Sequence, residues 1–530
     1  MPVLRSTLDP GTPEYTQNRA AMLEALARVD EVRGVVLEAG GEKYVTRHRD
    51  RGKLLARERV ELLVDRDAPF LELCALAGAH DETETPGAGI IAGIGPVRGV
   101  ECVIVANQPT VKGGAVGPSS VAKQLRALEV ADRNRLPVVG LVESAGADLP
   151  RQAEIFVPGG RSFRDISRLS AKGIPTLAVV FGNSTAGGAY VPGMSEYTVF
   201  VRHRAAVFLG GPPLVKMALG EDTDEETLGG ADMHARESGL ADYLALDEPD
   251  AMRIARQIVG DLGWRKLGPG PTEPADPPAH DPGELLGCVN DRHQVEVRDI
   301  LARVLDGSRF DEFKPLYGTT LVTGWGSICG FPVGVLANNG ILFSEESQKG
   351  AHFIQLANAR GTPLLFVQNI TGFMVGSRYE RAGIIKDGAK LINAVSNSAV
   401  PHLTLIVGAS YGAGNYGMSG RAYDPRFVFT WPNQRIAVMG GKELGGVLSI
   451  IRRQAAERAA EPYDEAADAQ MRAGIESMLE GQSNAIYATG RLWDDGVIDP
   501  RDTRTVLGLA LSAVHSAPIE GTTHFAPFRM

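Results

Sequence analysis

Two glycine-rich turns carry the residues of this sequence that are best suited to chemistry. The first lies in PTLAVVFGNSTAGGAYVPGM (175–194) and the second in PHLTLIVGASYGAGNYGM (401–418). Each follows a short apolar run of strand type, and glycine lets successive backbone N–H groups approach a ligand closely. Where a helix begins at such a turn, its unpaired N–H groups and the positive end of its dipole favour an anion. The pattern therefore predicts two oxyanion sites, in which one well-placed donor contributes roughly 2.7–4 kcal/mol.

The two turns are copies of one another. Pro175 and Pro401 are 226 residues apart (401 − 175 = 226). The same offset joins Lys123 to Lys349, Pro137 to Pro363, Gly182 to Gly408, Gly188 to Gly414 and Tyr190 to Tyr416. A single glycine turn can serve simply to close a βα connection, but an offset kept over roughly 70 residues indicates an internal duplication.

Composition narrows the class of protein. A chain of 530 residues is too long for one core, so two or more domains are expected. The net charge of −10 argues against broad nucleic-acid binding. Four scattered cysteines without a CxxC pair predict neither a zinc ribbon nor a disulfide framework, and no metal site is expected. No apolar leader or membrane-spanning run stands out, so we expect a cytoplasmic protein that binds no membrane.

The first half combines helices and strands around the first turn. The spacing of apolar residues predicts a helix over 13–37, and the basic stretch 47–59 predicts one amphipathic helix whose cationic face is either solvated or holds phosphates. Glycine and β-branched residues over 87–106 predict a hairpin. A glycine loop at 112–117 opens a helix at 118, and a strand with a turn follows at 137–146. An irregular stretch is expected next, before a helix over 163–171.

A linker divides the chain. Residues 266–285 contain six prolines and three glycines and few apolar side chains, which is typical of a linker. We therefore predict an N-terminal domain over 1–265, a linker over 266–285 and a C-terminal domain over 286–530. The second half repeats the first, with helices expected over 349–359 and 388–398, and a polar helical segment over 452–478.

Common catalytic motifs are missing from the sequence. It contains no HExxH, GxSxG or GxxxxGK[ST] pattern. His48, His352 and His402 are isolated, which is more typical of structural histidines. Glu143 has Asn369 as its repeat mate, so it is not a duplicated acid. Two anion sites without an acid–base pair favour a reaction whose base arrives with the substrate.

Long stretches of the sequence resemble a known family. The stretches STAGGAYVPGMSE, FLGGPPLVKMALGE, GVLANNGILFSEESQKGAHFIQLA and GAGNYGMSGRAY are similar to carboxyltransferase β subunits of biotin-dependent acyl-CoA carboxylases, closest to the methylcrotonoyl-CoA carboxylase branch. The resemblance implies an α/β fold of tandem crotonase-like (ClpP/crotonase) β-β-α superhelix domains with homologous halves. It covers nearly the whole chain. No ATP-grasp or biotinyl segment accompanies it.

The resemblance also implies a mechanism. Carboxybiotin, carried on a separate biotin carboxylase/biotin carrier α subunit, releases CO₂ beside the acyl-CoA. The biotin enolate removes the substrate proton, and the thioester enolate captures CO₂. The N–H groups of Gly187 and Gly188 would hold the thioester oxygen, and those of Ala413 and Gly414 the ureido oxygen. Cofactor contacts are expected at Lys112, Gly113, Gly114, Lys123, Ala186, Gly372, Phe373 and Tyr416.

The implied substrate is 3-methylcrotonyl-CoA, which gives 3-methylglutaconyl-CoA in leucine degradation. Geranoyl-, propionyl- and acetyl-CoA are alternatives within the class. The active site would form between the N half of one subunit and the C half of another, in a homo-oligomer expected to be the hexameric core of an α6β6 complex. Tyr416 is either a wall of the substrate pocket or a core residue.

Two other functions compete with carboxyl transfer. A crotonase-type hydratase or isomerase would need a pair of glutamates near the glycine turn, where only Glu196 follows closely. A scaffold subunit without transfer activity would not need both glycine turns, and both are intact.

Overall fold

Two sheets with the same strand order form the centre of the protein. The computed structural model describes residues 1–290 and 295–530. The first sheet contains the strands β1 Leu71–Glu72, β2 Ile90–Val97, β3 Val100–Asn107, β5 Val138–Ser144, β7 Thr176–Thr185, β8 Tyr197–Val201, β9 Ala206–Phe208 and β10 Tyr243–Ala245. The strands β4 Ala115–Val116 and β6 Gly146–Ala147 form a separate two-stranded sheet. The second sheet contains β11 Asp311–Glu312, β12 Leu321–Ile328, β13 Phe331–Asn338, β14 Leu364–Ile370, β15 His402–Tyr411, β16 Phe427–Thr430, β17 Arg435–Ala437 and β18 Gly496–Val497.

The order is β1-β2-β3-β5-β7-β8-β10 in the first sheet and β11-β12-β13-β14-β15-β16-β18 in the second, while β9 pairs with β7 and β17 with β15. The first three strands of each sheet pair antiparallel, and the others pair parallel. Strands such as β7 and β15 read as apolar runs because both faces of a parallel sheet are covered. This duplicated mixed α/β architecture confirms the predicted fold class.

Helices surround both sheets. In the first half they are α1 Pro13–Leu37, α2 Glu42–Asp50, α3 Ala56–Leu63, α4 Pro118–Asn134, α5 Gln152–Ala171, α6 Tyr190–Met194, α7 Pro212–Leu219, α8 Glu225–Gly229, α9 Ala231–Met233 and α10 Glu248–Asp261. In the second half they are α11 Val297–Val304, α12 Ser344–Arg360, α13 Ser377–Ala382, α14 Ile384–Asn397, α15 Gly412–Gly417, α16 Gly441–Ala459, α17 Glu465–Ser483, α18 Ala485–Gly490 and α19 Thr503–Val514.

Each sheet has an irregularity just before its glycine turn. The register between β5 and β7 shifts after Val142, and that between β14 and β15 shifts after Gln368, its repeat mate. The extra residues lie on β7 and β15, which contain Gly182 and Gly408. A bulge bends its strand and changes the direction of the residues after it. The same distortion therefore sets the direction of the chain at both turns.

One apolar core joins the two halves. It contains residues of α1, α4, α11 and α19 together with residues of both sheets. Arg126 of α4 also reaches the buried Asp495 of the second half, with Nε 2.7 Å from Oδ1. The N-terminal segment belongs spatially to the second half as well, because Thr7 donates its N–H to Asp299. The halves are therefore packed against each other rather than joined only by a tether.

The Pro/Gly-rich segment 266–285 lies along the second half. Lys266 Nζ donates to the carbonyl oxygen of Ser512 at 2.7 Å, Gly268 N–H to that of His515, and Thr272 N–H to that of Gly330. The segment has little regular structure apart from a 3₁₀ turn at Pro282–Gly287. Prolines and glycines therefore give it an irregular path, while hydrogen bonds hold that path in place.

Two predicted elements differ from the observed ones. The single amphipathic helix over 47–59 is two helices, α2 and α3, separated by a break that contains Gly52 in a left-handed conformation (φ 70°). The stretch expected to be irregular after residue 146 is mostly helical, because α5 runs from Gln152 to Ala171 with Pro158 inside it. Burial of Ile155, Ile166 and Leu169 outweighs the local signal of proline and glycine.

Candidate active site

The first turn presents backbone N–H groups at the end of β7. The strand ends at Thr185, Ala186 takes a left-handed conformation (φ 55°), and a 3₁₀ turn over Ala186–Ala189 leads into α6. Gly187 and Gly188 lie in the first turn of this helical run, where N–H groups have no helical partner. Both glycines are at least partly exposed. They are therefore placed to donate to a ligand.

The second turn repeats this geometry. β15 ends at Tyr411, Gly412 takes the same left-handed conformation (φ 54°), and α15 begins there. Gly412 is the repeat mate of Ala186, so the same backbone angle is reached by glycine in one half and by alanine in the other. Alanine pays roughly 1–2 kcal/mol for this conformation. A strained angle kept in both copies indicates that the direction of the following N–H groups matters.

A large apolar cavity of about 490 Å³ opens beside the first turn. Gly187 and Gly188 form part of its wall, next to Ser144 and Gly146. The remaining wall is mainly aliphatic and aromatic and includes Val105, Val116, Val121, Leu128, Val138, Val142, Ile155, Phe156, Phe163, Ile166, Leu177 and Val191. All its lining residues lie between positions 105 and 195. The cavity can hold an apolar group whose polar end faces the glycine N–H groups.

The glycine loop after β3 packs against the end of β5, where Ser144 lines this cavity. Lys112, Gly113 and Gly114 have φ values of 47°, 67° and 77°. A Cβ at Gly114 would lie 2.7 Å from the carbonyl oxygen of Glu143, so the loop packs tightly against the end of β5. Ser144 Oγ donates to the carbonyl oxygen of Gly114 at 2.9 Å. The exposed Lys112 stands at the surface above this contact.

Lys123 is not placed to contact a phosphate. Its side chain is buried in α4, and its Nζ donates to the carbonyl oxygens of Ile90 at 2.6 Å and Gly87 at 3.4 Å. Burial lowers the pKa of the ammonium group. Lys349, its repeat mate, is buried in the same way and donates to the carbonyl oxygen of Gly318. The shared offset of these lysines therefore reflects a duplicated structural contact, which corrects the expectation of a cofactor contact at Lys123.

The residues expected around the second turn do lie together. Gly414 is packed against Ile370 and Gly372, which leaves no room for a side chain. The ring of Phe373 lies 3.2 Å from a Cβ position at Gly417, so it supports the turn from behind. Tyr416 is 45% exposed and stacks on Tyr423 with 5.7 Å between ring centroids. Its exposure favours the role of a pocket wall over that of a core residue.

A buried ionic network, which the motifs did not indicate, supports the first turn. Glu143 contacts Lys53 and lies 2.8 Å from Arg59, whose Nε donates to Glu248 at 2.8 Å. Burial by itself raises the pKa of Glu143, but Arg59 and Lys53 outweigh it and hold the pKa below its usual value. A Cβ at Gly182 would lie 2.5 Å from the Glu143 carboxylate, so this group fills the bulge of β7.

The network also removes two cations from the face of the basic stretch 47–59, which was expected either to be solvated or to hold phosphates. Lys53 and Arg59 belong to the basic stretch 47–59, yet both side chains turn inward to carboxylates. The inward direction of these side chains is visible only from their contacts with Glu143 and Glu248, which are distant from them in the sequence. A charge run has the same appearance in the sequence whether its side chains face water or a buried carboxylate.

The isolated histidines have structural environments. His402 lies between Ser398 and Ser419, with its ring nitrogens 2.8 and 2.9 Å from their hydroxyl oxygens. Burial lowers its pKa to about 3, so the ring is neutral near pH 7. His48 is buried with Nε2 3.0 Å from the carbonyl oxygen of Leu54.

Comparisons with known proteins show which family this chain resembles. A family model described as "Carboxyl transferase domain" matches residues 47–526. The chain is 59% identical to a probable biotin-dependent acyl-coenzyme A carboxylase beta2 subunit of Mycobacterium tuberculosis, over 100% of both chains. It is 51% identical to the biotin-dependent 3-methylcrotonyl-coenzyme A carboxylase beta1 subunit of the same organism, over 93% of this chain and 94% of the relative.

Among solved structures, the geranyl-CoA carboxylase beta subunit of P. aeruginosa superposes with a TM-score of 0.90 at 44% identity, over 100% of both chains. Within the described ranges, none of the helices combines the length and the apolar composition that crossing a membrane requires.

Proposed function

Since the chain belongs to the carboxyl transferase family and is the carboxyltransferase component of a biotin-dependent acyl-CoA carboxylase, we propose that its acyl substrate is 3-methylcrotonyl-CoA. The product would be 3-methylglutaconyl-CoA, formed in leucine degradation. The observation that carries this proposal is the apolar cavity at Gly187 and Gly188. A branched, unsaturated acyl chain buries only apolar surface there, while its thioester oxygen faces N–H donors. The 3-methylcrotonyl-coenzyme A carboxylase relative supports the same substrate.

In this proposal the first turn acts on the thioester. The N–H groups of Gly187 and Gly188 donate to the thioester oxygen, which becomes negatively charged when the acyl group loses a proton. Conjugation extends the enolate along the chain, so a carboxyl group can be added at the far γ carbon. The charge resides mainly on oxygen, and donors fixed in advance stabilise it without reorganising. Exclusion of water by the aliphatic walls strengthens that interaction.

The second turn is proposed to hold the ureido oxygen of biotin through the N–H groups of Ala413 and Gly414. Its surroundings fit such a group, because Ala413 and the ring of Tyr416 are exposed while Gly414 is backed by Ile370. When bound, carboxybiotin supplies the carboxyl group, and its ureido group accepts the proton that the acyl group loses. Contacts from Gly372, Phe373, Lys112, Gly113, Gly114 and Ala186 remain proposals.

Separate surroundings for the two turns support an active site shared between subunits. The cavity at the first turn is lined by residues 105–195 alone, so the second turn of the same chain does not complete it. We therefore propose that the N half (1–265) of one copy meets the C half (286–530) of another, in a homo-oligomer that we expect to be a hexamer. We propose a biotin-carrying α subunit as the partner, because the relatives are beta subunits of biotin-dependent carboxylases.

The experiment that tests the function uses the purified chain. It is mixed with free biotin and 3-methylglutaconyl-CoA, and formation of 3-methylcrotonyl-CoA is followed with and without biotin. Biotin-dependent turnover without ATP is the expected result. If methylmalonyl-CoA reacted instead, propionyl-CoA would replace 3-methylcrotonyl-CoA as the proposed acyl substrate. If no carboxylated thioester reacted even with an α subunit present, the chain would be a scaffold.

Geranoyl-CoA is a second candidate. The geranyl-CoA carboxylase beta subunit has nearly the same backbone, and a cavity of about 490 Å³ has room for a longer chain. The two substrates are separated by comparing kcat/KM for the two carboxylated thioesters in the same assay. A clear preference for the branched five-carbon thioester supports the first proposal, and the opposite preference replaces it with the second.

A further inference from the structure

Three polar side chains lie behind the second turn, where the first half of the molecule has two apolar residues. Gln368, Ser410 and Asn415 are the repeat mates of Val142, Ser184 and Ala189. Val142 and Ala189 belong to an apolar cluster behind the first turn. All three polar residues are buried, with Asn415 at 8% exposure and the other two at 0%. The two glycine turns therefore have the same backbone geometry, but apolar side chains pack behind the first and polar side chains behind the second.

The three side chains form a closed set of hydrogen bonds. Ser410 Oγ donates to Gln368 Oε1 at 2.6 Å, and Asn415 Nδ2 donates to Ser410 Oγ at 2.7 Å. Asn415 Nδ2 also lies 3.4 Å from Gln368 Oε1. Linked bonds of this kind polarise one another and fix one arrangement of the groups that make them.

The network ties the middle and the C-terminal end of α15 to the sheet. Gln368 Nε2 donates to the carbonyl oxygen of Met418 at 2.7 Å, just after the last turn of α15, and lies 3.5 Å from that of Asn415. Asn415 directly follows Gly414, whose N–H is one of the two proposed donors. A helix of six residues has little stability of its own, so tertiary contacts set its direction. The network thus connects strands β14 and β15 to the peptide groups that would meet biotin.

The two turns need different support because their surroundings differ. The first turn forms one wall of an apolar cavity, and aliphatic side chains pack behind it. The second turn lies at the surface of the chain, with Ala413 and Tyr416 exposed. Apolar packing resists compression but restricts orientation weakly, whereas hydrogen bonds are directional. A turn that receives a ligand from another subunit gains most from directional support.

We infer that Gln368, Ser410 and Asn415 are positioning residues that orient the Ala413 and Gly414 N–H groups toward the ureido oxygen of biotin. The inference rests on the proposed function for the identity of the ligand. It goes beyond that function in naming residues that touch neither substrate nor biotin. It also explains why Gln368 and Asn415 differ from their repeat mates, Val142 and Ala189, while both turns have the same backbone geometry.

The test replaces the network by the residues of the first half. Gln368→Val and Asn415→Ala are made singly and together in the full chain. Each single variant leaves buried polar groups without their hydrogen-bond partners. The double variant recreates the apolar pairing seen behind the first turn. Thr323→Val is the matched control, because Thr323 is fully buried on β12 and donates to the carbonyl oxygen of Phe313 at 3.0 Å, away from both turns.

Three measurements are made on each variant, and one of them is the midpoint of thermal unfolding. Amide hydrogen exchange is followed in peptides covering 407–418 and 181–194, and biotin-dependent transfer is measured with both substrate concentrations varied. We expect exchange in 407–418 to become at least about tenfold faster, with 181–194 unchanged. We expect kcat to fall by about 10- to 100-fold with the KM for the acyl-CoA within about twofold. The double variant should regain thermal stability but not kcat.

Three results would overturn the inference. The first is recovery of kcat together with stability in the double variant, which would make the role purely structural. The second is unchanged exchange in 407–418. The third is an equal effect of Thr323→Val on kcat. If the wild-type chain itself transferred no carboxyl group, the proposed function would fail, while the exchange comparison would still decide whether the network holds the turn.

Discussion

At the scale of single residues, the proposed chemistry depends on backbone N–H groups whose direction is set by an unusual residue before them. Ala186 and Gly412 share the left-handed conformation, and each is followed by two residues that open a helical turn. A side chain can be exchanged without moving such donors, but an imino acid removes one. Substitution by proline is therefore the sharpest test of a backbone donor.

Gly188→Pro should strongly reduce carboxyl transfer while the chain still folds. Proline removes the N–H that would meet the thioester oxygen, and the expected loss is about 10²- to 10³-fold in kcat. Gly188→Ala is the matched control, because it keeps the N–H; its Cβ would lie 3.2 Å from Ser184 Oγ, a tight contact that a small movement of the serine side chain relieves. Steady-state kinetics and size-exclusion chromatography give the readouts. A proline variant as active as the alanine variant would contradict the role of this donor.

Asp494 should make stability depend on pH. Its side chain is buried and Oδ1 has no hydrogen-bond partner among the described residues, and burial raises its pKa to about 7. The unfolded chain releases this proton near pH 3.9. The folded state therefore binds the proton more tightly, and its contribution to stability is present below about pH 4 and is lost as the pH rises to 7.

Asp494→Asn removes this titration. The variant should be more stable than the wild type at pH 8, by up to about 4 kcal/mol, and should lose that advantage near pH 4. Chemical denaturation at several pH values measures the difference. Asp30→Asn, at an exposed carboxylate of α1, should change stability little at any of them. An advantage of equal size at pH 4 and pH 8 would show that Asp494 does not titrate in this range.

At the scale of elements, the bulges before the two turns set the direction in which each strand enters its glycine turn. Both occur at equivalent positions, and each is filled by a side chain of the neighbouring strand. Glu143 fills the first, and Asn369 Oδ1 accepts the N–H of Ala409 at the second. A carboxylate buried at such a place needs cations, and Glu143 has Lys53 from the break between α2 and α3 and Arg59 from α3.

Glu143→Gln should destabilise the first half strongly. It leaves Arg59 and Lys53 without their shared carboxylate, and breaking a buried pair costs about 3–5 kcal/mol. Because the pKa of Glu143 is lowered on folding, the stability it contributes is present above about pH 4 and declines as the pH falls. The gap between wild type and variant should therefore narrow on acidification, as measured by denaturant titration.

The control for this variant is Glu24→Gln, which removes an exposed ion pair with Arg28 and should cost at most about 0.5 kcal/mol. Equal losses in the two variants would mean that the Glu143 network contributes no more than a surface pair.

At the scale of the whole molecule, the helical hairpin α16–α17 lies on the outside of the chain. In α16 only Gly445 is buried, while Val447, Ile450 and Ile451 are between 45% and 58% exposed. Apolar side chains are also exposed beside the first cavity, at Phe156 and Val157. Such surfaces are typical of faces that another subunit covers. The hairpin starts next to the second turn, because β17 pairs with the end of β15.

Ile450→Glu should dissociate the homo-oligomer and reduce transfer together. A charge placed in a covered apolar face is costly, and separated subunits cannot bring the two turns into one site. Analytical ultracentrifugation and the transfer assay are run over the same range of protein concentrations. Thr505→Glu places the same charge at an exposed position of α19 and should leave both unchanged. Full activity in a monomeric Ile450 variant would contradict a shared active site.

Much of the fold was predictable because it depends on local patterns that are repeated. Apolar runs, prolines and glycines identified β7, β15 and the turns that follow them, and the constant offset identified the duplication. The hairpin at 90–107 and the helix at 13–37 were also predicted correctly. Elements with mixed signals were not, as α5 shows, because its proline and glycines are outweighed by burial against α4.

By itself, the sequence determined the α/β class, the two homologous halves, the family and the positions of both glycine turns. Glycine, proline and apolar spacing act within a few residues, so they can be read along the chain. Only the tertiary structure decided which charges are internal. In the folded chain Lys123 donates to backbone carbonyl oxygens, and Lys53 and Arg59 contact Glu143. Gln368, Ser410 and Asn415 form their hydrogen-bond network only there. These contacts join distant residues, and their energies depend on burial, which the order of residues does not specify.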